Sequence, residues 1–296
     1  MAVAGVAELT GRTSRNHCMA RESVSSAADP RIAIYRDLRH VNLTAAAGRF
    51  IVEGRLLVDR LLASAFPVES LLVEERFADV SWPVDSHVPV YVVPQGMVSE
   101  IIGFKFHRGV LGCGRRLPAP SLADVLKTKP AANQMVEPVA RSQVTVVVAV
   151  DIQDPENLGT VIRNSAAFGV QAVITTPQCA DPFSRRVLRT SMGTVFAIPI
   201  IATRDLPETL LQLSNEYDVS SAATILAPNA IPLREFQRPP RLAVLFGNEG
   251  HGLPPEIVSL CTHAITMPMH GSIDSLNVGV ASGVFLYQLT QQTSVP

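Results

Sequence analysis

The sequence predicts an α/β protein of two units, and three observations carry that reading. Short β-branched and aliphatic runs alternate with segments of helical spacing before residue 117 and again after residue 143. Between them, Leu117 to Gln143 holds Pro118, Pro120, Pro130 and Pro138 among polar residues, the composition of a linker. A chain of 296 residues with 47% hydrophobic content can furnish one large core or two smaller ones.

In the first unit, Arg31–His40 is mixed basic and apolar and reads as a helix entering the fold. Phe50–Gly54 is a short strand, and Arg55–Ala65 carries Leu56, Leu57, Val58, Leu61 and Leu62 at helical spacing. Val68–Glu74 and Val88–Val93 read as strands, the latter preceded by the loop Trp82–His87. Met97–Ile102 reads as a short helix and Gly109–Cys113 as a last strand, so the unit is expected to be a small α/β/α sandwich. Its densest basic cluster is Lys105, His107, Arg108, Arg115 and Arg116.

Leu122–Leu126 has room for one helical turn within the linker. The second unit opens on Val144–Val150, apolar enough for a strand buried on both faces. A helix follows over Leu158–Phe168, closed by Gly169; Arg163 falls on its polar stripe, away from the core. Further strands are expected at Ala172–Thr175, Val195–Ile200, Ala223–Ala227 and Leu242–Phe246, with an arginine-bearing stretch at Asp181–Gly193 and an amphipathic helix at Leu206–Tyr217. That alternation implies a mostly parallel sheet with helices on both faces.

Charge and cysteines narrow the function classes. A formal net charge of −1 gives no global basic field, so any nucleic-acid affinity has to come from local patches. Cys18, Cys113, Cys179 and Cys261 form no CxxC pair, which argues against a zinc site or a disulfide framework and fits a reducing cytoplasm. No apolar run approaches the roughly 18 residues a membrane span requires. Residues 1–30, with Arg12, Arg15 and Arg21 among serines and alanines, read as a disordered extension or an organelle transit peptide.

The informative stretch is Leu242 to Leu289. The strand Leu242–Phe246 stops at Gly247-Asn248-Glu249-Gly250-His251-Gly252. A second run, Ala264–Met267, stops at Pro268 and leads into the loop His270–Asp274; Ser275-Leu276-Asn277 then opens a helix with Val280, Val284 and Tyr287 on one face. Glycines let backbone amides approach a ligand closely, so strand, glycine turn, strand, polar loop and helix together can hold one. Upstream lies Asp154-Pro155-Glu156-Asn157-Leu158-Gly159-Thr160-Val161-Ile162-Arg163-Asn164. In this order, these segments resemble the three motifs of the SpoU/TrmH family of RNA 2′-O-ribose methyltransferases, within the SPOUT superfamily. RFIVEG and FHRGVLGCG in the first unit look like the L30e-like substrate-binding domain of many such enzymes, with His107-Arg108-Gly109 where His-Gln-Gly is usual.

The resemblance implies a division into an extension (1–30), an L30e-like RNA-binding domain (31–117), a linker (118–143) and a SPOUT methyltransferase domain with a deep trefoil knot (144–296). It implies S-adenosylmethionine as methyl donor, no metal, a homodimer through the catalytic domain, and an RNA substrate, ribosomal RNA ahead of tRNA. Donor binding maps to Gly247, Met267 and Leu276, and catalysis to Asn157, Arg163, Glu249, Ser275 and Asn277. RNA contact maps to Lys105, His107 and Arg108, with Arg189 in the substrate-facing stretch. Free arginine has a pKa above about 12, so orienting a phosphate and stabilising a developing oxyanion suit Arg163 better than base action. Glu249 is expected to hold either Arg163 or a motif loop by a charge-assisted bond, and Ser275 and Asn277 to cap the final helix. His251, His270 and Asp274 are second choices for a base, and Gly279 stands where relatives often carry serine. The rival reading is an RNA-binding protein that keeps the fold without catalysis; the presence of all five polar motif residues speaks against it. A nucleotide-binding enzyme of other chemistry would need a GxGxxG or GxxxxGK(S/T) loop, which the sequence lacks.

Overall fold

The computed structural model describes residues 21–38, 46–126, 143–271 and 275–292. Residues 1–20 of the expected extension, 127–142 of the expected linker, and Asp274 lie outside the described residues.

The first unit contains β1 (Arg21–Ser23), β2 (Arg49–Glu53), α1 (Arg55–Leu62), β3 (Val68–Glu74), β4 (Val90–Val93), α2 (Met97–Ile102) and β5 (Val110–Arg115). Its sheet runs β1-β4-β3-β5-β2, with β5 antiparallel to both neighbours. Side chains alternate across a strand, and here the alternation builds two cores. Phe50, Val52, Leu71 and Val73 meet Leu57, Val58 and Leu61 of α1 on one face. Ile51, Leu72 and Leu111 meet Ile32, Tyr35, Ile101 and Ile102 on the other.

Two expectations are corrected here. Residues 21–30 belong to this unit rather than to an extension. Arg21–Ser23 pair with Val90–Val92 through backbone bonds, which require no apolar pattern, and Val24 is buried behind them. The helix expected over Arg31–His40 is a 3₁₀ turn, Pro30–Tyr35, started by Asp29, whose carboxylate accepts from Arg31 N at 2.9 Å. It cannot propagate through Asp37, which adopts a left-handed φ of 48° while its N–H bonds Ile101 O at 3.1 Å.

A short helix, α3 (Leu122–Val125), then leads toward the second unit, where its flanking Leu122 and Leu126 bury against Val144 and Val146. The first part of the expected linker is therefore packed. The second unit comprises β6 (Val144–Ala149), α4 (Pro155–Ala167), β7 (Ala172–Thr175), α5 (Arg185–Thr190), β8 (Ile200–Ala202), α6 (Leu206–Asn215), β9 (Ser220–Thr224), β10 (Ile231–Pro232), β11 (Arg241–Phe246), α7 (Pro255–Leu260), β12 (His263–Thr266) and α8 (Val278–Gln291). Its sheet is parallel throughout, in the order β10-β12-β9-β11-β6-β7-β8. Val147 and Ala149 of β6 face α4 and α8; Val146, Val148 and Val150 face α6 and α7. Burial on both faces explains the unbroken apolar run. The strand expected over Val195–Ile200 begins later, because Pro199 has no N–H for the ladder; Thr194–Phe196 is a 3₁₀ turn instead. No helix among the described residues is long and apolar enough to cross a membrane.

At the N-terminal end of this sheet, Arg238 is only 7% exposed and has no carboxylate partner among the described residues. Its guanidinium donates to Val144 O (3.0 Å), Pro240 O (3.1 Å), Thr145 Oγ1 (3.2 Å) and Leu289 O (3.2 Å). Leu289 lies in the last turn of α8, where a cation also complements the helix dipole. Burial alone lowers the Arg238 pKa, yet the site satisfies its donors with carbonyls. Arg238→Ala leaves those carbonyls unmatched and should lower the unfolding free energy by about 3 kcal/mol, read from urea denaturation.

Candidate active site

Parallel α/β sheets open clefts beyond the carboxyl ends of their strands, where the strand order changes direction. Here β6 leads outward to β7 and β8 on one side, while β11, β9 and β12 lie on the other. The segments that follow β6, β9, β11 and β12 line a cleft of about 860 Å³, within the usual range for small-molecule sites. Its apolar lining comes from Leu226, Phe246, Met267, Val278 and Phe285, and polar residues supply much of the rest.

The polar wall is one hydrogen-bonded chain. Asn157, 9% exposed in the first turns of α4, donates from Nδ2 to Glu249 Oε1 at 2.9 Å. Asn277 Nδ2 donates to Asn157 Oδ1 at 2.8 Å. Asn277 also caps α8, its Oδ1 accepting from Gly279 N (2.9 Å) and Val280 N (3.2 Å). Glu249 Oε1 takes a further, longer bond from Asp154 N at 3.3 Å, and the Asp154 carboxylate caps α4 through Glu156 N at 2.7 Å. Each bond is worth about 1 kcal/mol net, but stranding the Asn157 amide would cost more than any one of them.

The glycine loop is held by its own closure. Asn248 and Gly252 exchange backbone bonds of 3.0 and 2.9 Å. Asn248 Nδ2 reaches Asp151 O at 2.8 Å, and its Oδ1 accepts from Gly250 N (2.8 Å) and His251 N (3.2 Å). Gly247 is compulsory, since a Cβ there would stand 2.3 Å from Gly252 C and 2.5 Å from Leu253 N. Asp151, left-handed at φ 54°, is anchored by Thr176 Oγ1, which donates to Asp151 Oδ1 at 2.5 Å.

The cleft gathers Asn157, Gly247, Glu249, Met267, Ser275, Leu276 and Asn277 from the expected set. Met267 both lines it and packs against the core. Arg163 is not on its wall. It is exposed on α4 with no hydrogen bond or ion pair among the described residues. Helical spacing puts it between the Gly159 contact with Thr190 of α5 and the Thr160 contact with Gly279 of α8. Glu249 therefore holds a motif loop, through Asn157 and Asp154, rather than Arg163. Asn277 alone makes the helix cap. Gly279 is explained by crowding, because a Cβ there would lie 2.8 Å from Thr160 Cγ2.

In the first unit, Lys105, His107 and Arg108 are exposed. The Arg108 stem lies over Gly54, and its Nη1 donates to Glu53 O at 3.3 Å; His107 O accepts from Arg76 Nη2 at 2.7 Å. Arg189 is exposed on α5. Sequence reasoning passed over Asn248 and Asn164, although both stand inside the motifs. Asn164 Nδ2 donates to Gly279 O (2.8 Å) and Ser282 Oγ (3.0 Å), fastening α4 to α8.

Comparison with known proteins points to one family. A family model described as the SpoU rRNA Methylase family matches residues 144–287. A protein of Mycobacterium tuberculosis (strain ATCC 25618 / H37Rv) named as an uncharacterized tRNA/rRNA methyltransferase is 33% identical over 281 residues, covering 91% of this chain and 92% of the relative. The 23S rRNA (guanosine(2553)-2′-O)-methyltransferase RlmP of Bacillus subtilis is 26% identical over 269 residues, covering 90% and 99%. The AdoMet-bound rRNA methyltransferase from Sinorhizobium meliloti has a TM-score of 0.74 at 26% identity, over 90% of this chain and 97% of that one.

Gly247→Ala forces the loop open against its own backbone. Titration calorimetry should show S-adenosylmethionine affinity reduced by roughly tenfold or more, with the circular dichroism spectrum retained.

Proposed function

Since the chain belongs to the SpoU rRNA methylase family, and is thereby an RNA methyltransferase using S-adenosylmethionine, we propose that it methylates a ribose 2′-hydroxyl of ribosomal RNA. The observation that carries this reading is the Glu249–Asn157–Asn277 chain walling the cleft, with Arg163 exposed on the same helix as Asn157 and without a partner among the described residues. The RlmP relative and the RlmB relative of Acinetobacter baylyi, both named as 23S rRNA 2′-O-methyltransferases, support the choice of hydroxyl and of RNA.

The cleft suits the donor: its size matches, and its lining combines apolar and polar residues, as an adenosine joined to an amino acid requires. When bound, S-adenosylmethionine supplies an electrophilic methyl group. The backbone around Gly247, Met267 and Leu276 holds it, and the pre-closed glycine loop does so without first having to order itself. Glu249 commits Oε1 to Asn157 and the Asp154 amide, and Ser275 stands beside Asn277 on the same wall. Arg163, with a forked set of donors and no competing carboxylate among the described residues, orients an RNA phosphate and stabilises the oxyanion that develops as the hydroxyl loses its proton.

The same proposal takes the unit up to residue 117 as L30e-like and RNA-binding, with Lys105, His107, Arg108 and, across the boundary, Arg189 contacting the substrate. It takes the methyltransferase domain as 144–296 with a trefoil knot, supported by β11 lying between β6 and β9 although it follows both in the chain. It includes a cytoplasmic location and a homodimer. Val280, Val284 and Tyr287 are 56%, 42% and 59% exposed at spacings of four and three along α8, an apolar stripe suited to a second copy of the same face.

Three measurements test it. Labelled methyl from S-adenosylmethionine, offered separately to unmodified rRNA and tRNA, should appear in a 2′-O-methylated nucleoside of rRNA; label in tRNA alone would move the substrate, and donor binding with no label in either would favour a protein that only binds RNA. Arg163→Ala should cut transfer by about a hundredfold or more while leaving donor affinity within error. Val284→Glu should convert a dimer to a monomer in light scattering, since it buries an unpaired charge in the expected interface.

A further inference from the structure

We propose that Arg60 of the first unit and Arg189 of the second form a two-armed clamp for the RNA backbone phosphate at the seam between the units. The inference rests on the RNA-methyltransferase reading and adds to it a site astride two elements.

The seam is well defined. Phe50 and Phe66 of the first unit interleave with Phe183 and Phe196 of the second, with ring centroids 5.3 to 5.5 Å apart. Arg185 of α5 ion-pairs with nearly buried Glu53, donates to Leu38 O, and lies 4.6 Å over the Phe104 ring. Arg116 makes a forked pair with Asp181 at 2.9 and 2.6 Å. On α1, Asp59 is taken by Arg55 at 3.4 Å. These carboxylates therefore already have cations.

Positive charge is left over. Arg60, Arg186 and Arg189 are exposed and have no carboxylate partner among the described residues. Arg60, in the last turn of α1, reaches across the seam and donates to the carbonyl of Met192. Met192 is left-handed at φ 54°, and its N–H returns to Arg189 O at 3.1 Å. Gly193 follows at φ 76°, so close to α1 that a Cβ would lie 3.1 Å from Leu57 Cδ2 and 3.3 Å from Arg60 Cδ. The Arg60 head is thereby fixed at the end of α5, one turn from Arg189. A guanidinium has five donors; one goes to Met192, and a single carbonyl leaves the charge uncompensated. A phosphodiester is the acceptor that fits two such forks, and it is the group a ribose methyltransferase meets at every nucleotide. Gly159 of α4 packs on Thr190 at the end of α5 and on Ser191 just after it, so the clamp lies next to the helix that carries Arg163.

The test is the salt dependence of binding to a labelled mixed-sequence RNA hairpin, measured by anisotropy for wild type, Arg60→Ala, Arg60→Lys, Arg189→Ala and the double alanine variant. Each alanine should reduce the steepness of log K against log salt by about 0.7 to 0.9 and the double by about twice that, while Arg60→Lys keeps the slope. S-adenosylmethionine affinity and melting temperature of Arg189→Ala should stay at wild-type values. A lowered melting temperature for Arg60→Ala with an unchanged slope would mean that Arg60 only fastens the units and overturns the clamp; unchanged slopes throughout overturn it too. Should Arg60→Ala fail to fold, Arg60→Gln and Arg189→Ala carry the same slope criterion. Wild-type protein that binds no RNA at any salt overturns the functional reading and the clamp with it.

Discussion

The wall of the candidate site depends on one constraint: Asn157 is nearly buried and its amide needs both a donor and an acceptor. It finds the acceptor in Glu249 and the donor in Asn277, 92 and 120 residues further along the chain. Three segments with no local reason to meet are thereby held in one register. The carboxylate of Glu249, the start of α4 and the start of α8 cannot move independently. A polar network of this kind is all or nothing, because a half-satisfied member is worse than an apolar substitute. That condition makes the wall a single object rather than three loops that happen to adjoin.

The same economy governs the junction of the two units. The four phenylalanines supply contact area, and the two ion pairs supply orientation, one of them sheltered against Glu53. Arg185 deepens the junction by stacking on Phe104 and bonding a backbone carbonyl, so its charge is matched on three sides. A basic loop on one unit and a cleft on the other keep a fixed separation under such restraint. The protein then offers one rigid surface across both units.

Much of this was legible in the chain. The glycine turn after Leu242–Phe246 could be read because Gly247 and its neighbours have no other use in so tight a loop, and the structure finds backbone where a side chain would have been. The run Val144–Val150 announced a strand covered on both faces. What could not be read has physical reasons. Arg21–Ser23 joins a sheet edge through its backbone, leaving no apolar pattern to find. Arg185 and Arg238 look like solvated cations, because the carbonyls and the carboxylate that receive them come from distant segments. The partner of Glu249 was ambiguous because Asn157 and Arg163 share a helix, and only the turn of α4 decides which one faces the loop.

The order of strands also carries a kinetic consequence. The interior strand β6 meets β7 soon after it is made, but its other neighbour, β11, arrives roughly a hundred residues later, and the helix cap at Asn277 later still. A growing chain therefore holds β6 with one side unpaired through most of the synthesis of this unit. Pairing at so long a range closes a large loop before any contact rewards it, which makes folding slow and leaves an apolar strand open to other chains meanwhile. Catalytic competence becomes a late, all-at-once event: a nascent chain can have its first unit formed and still lack any donor site.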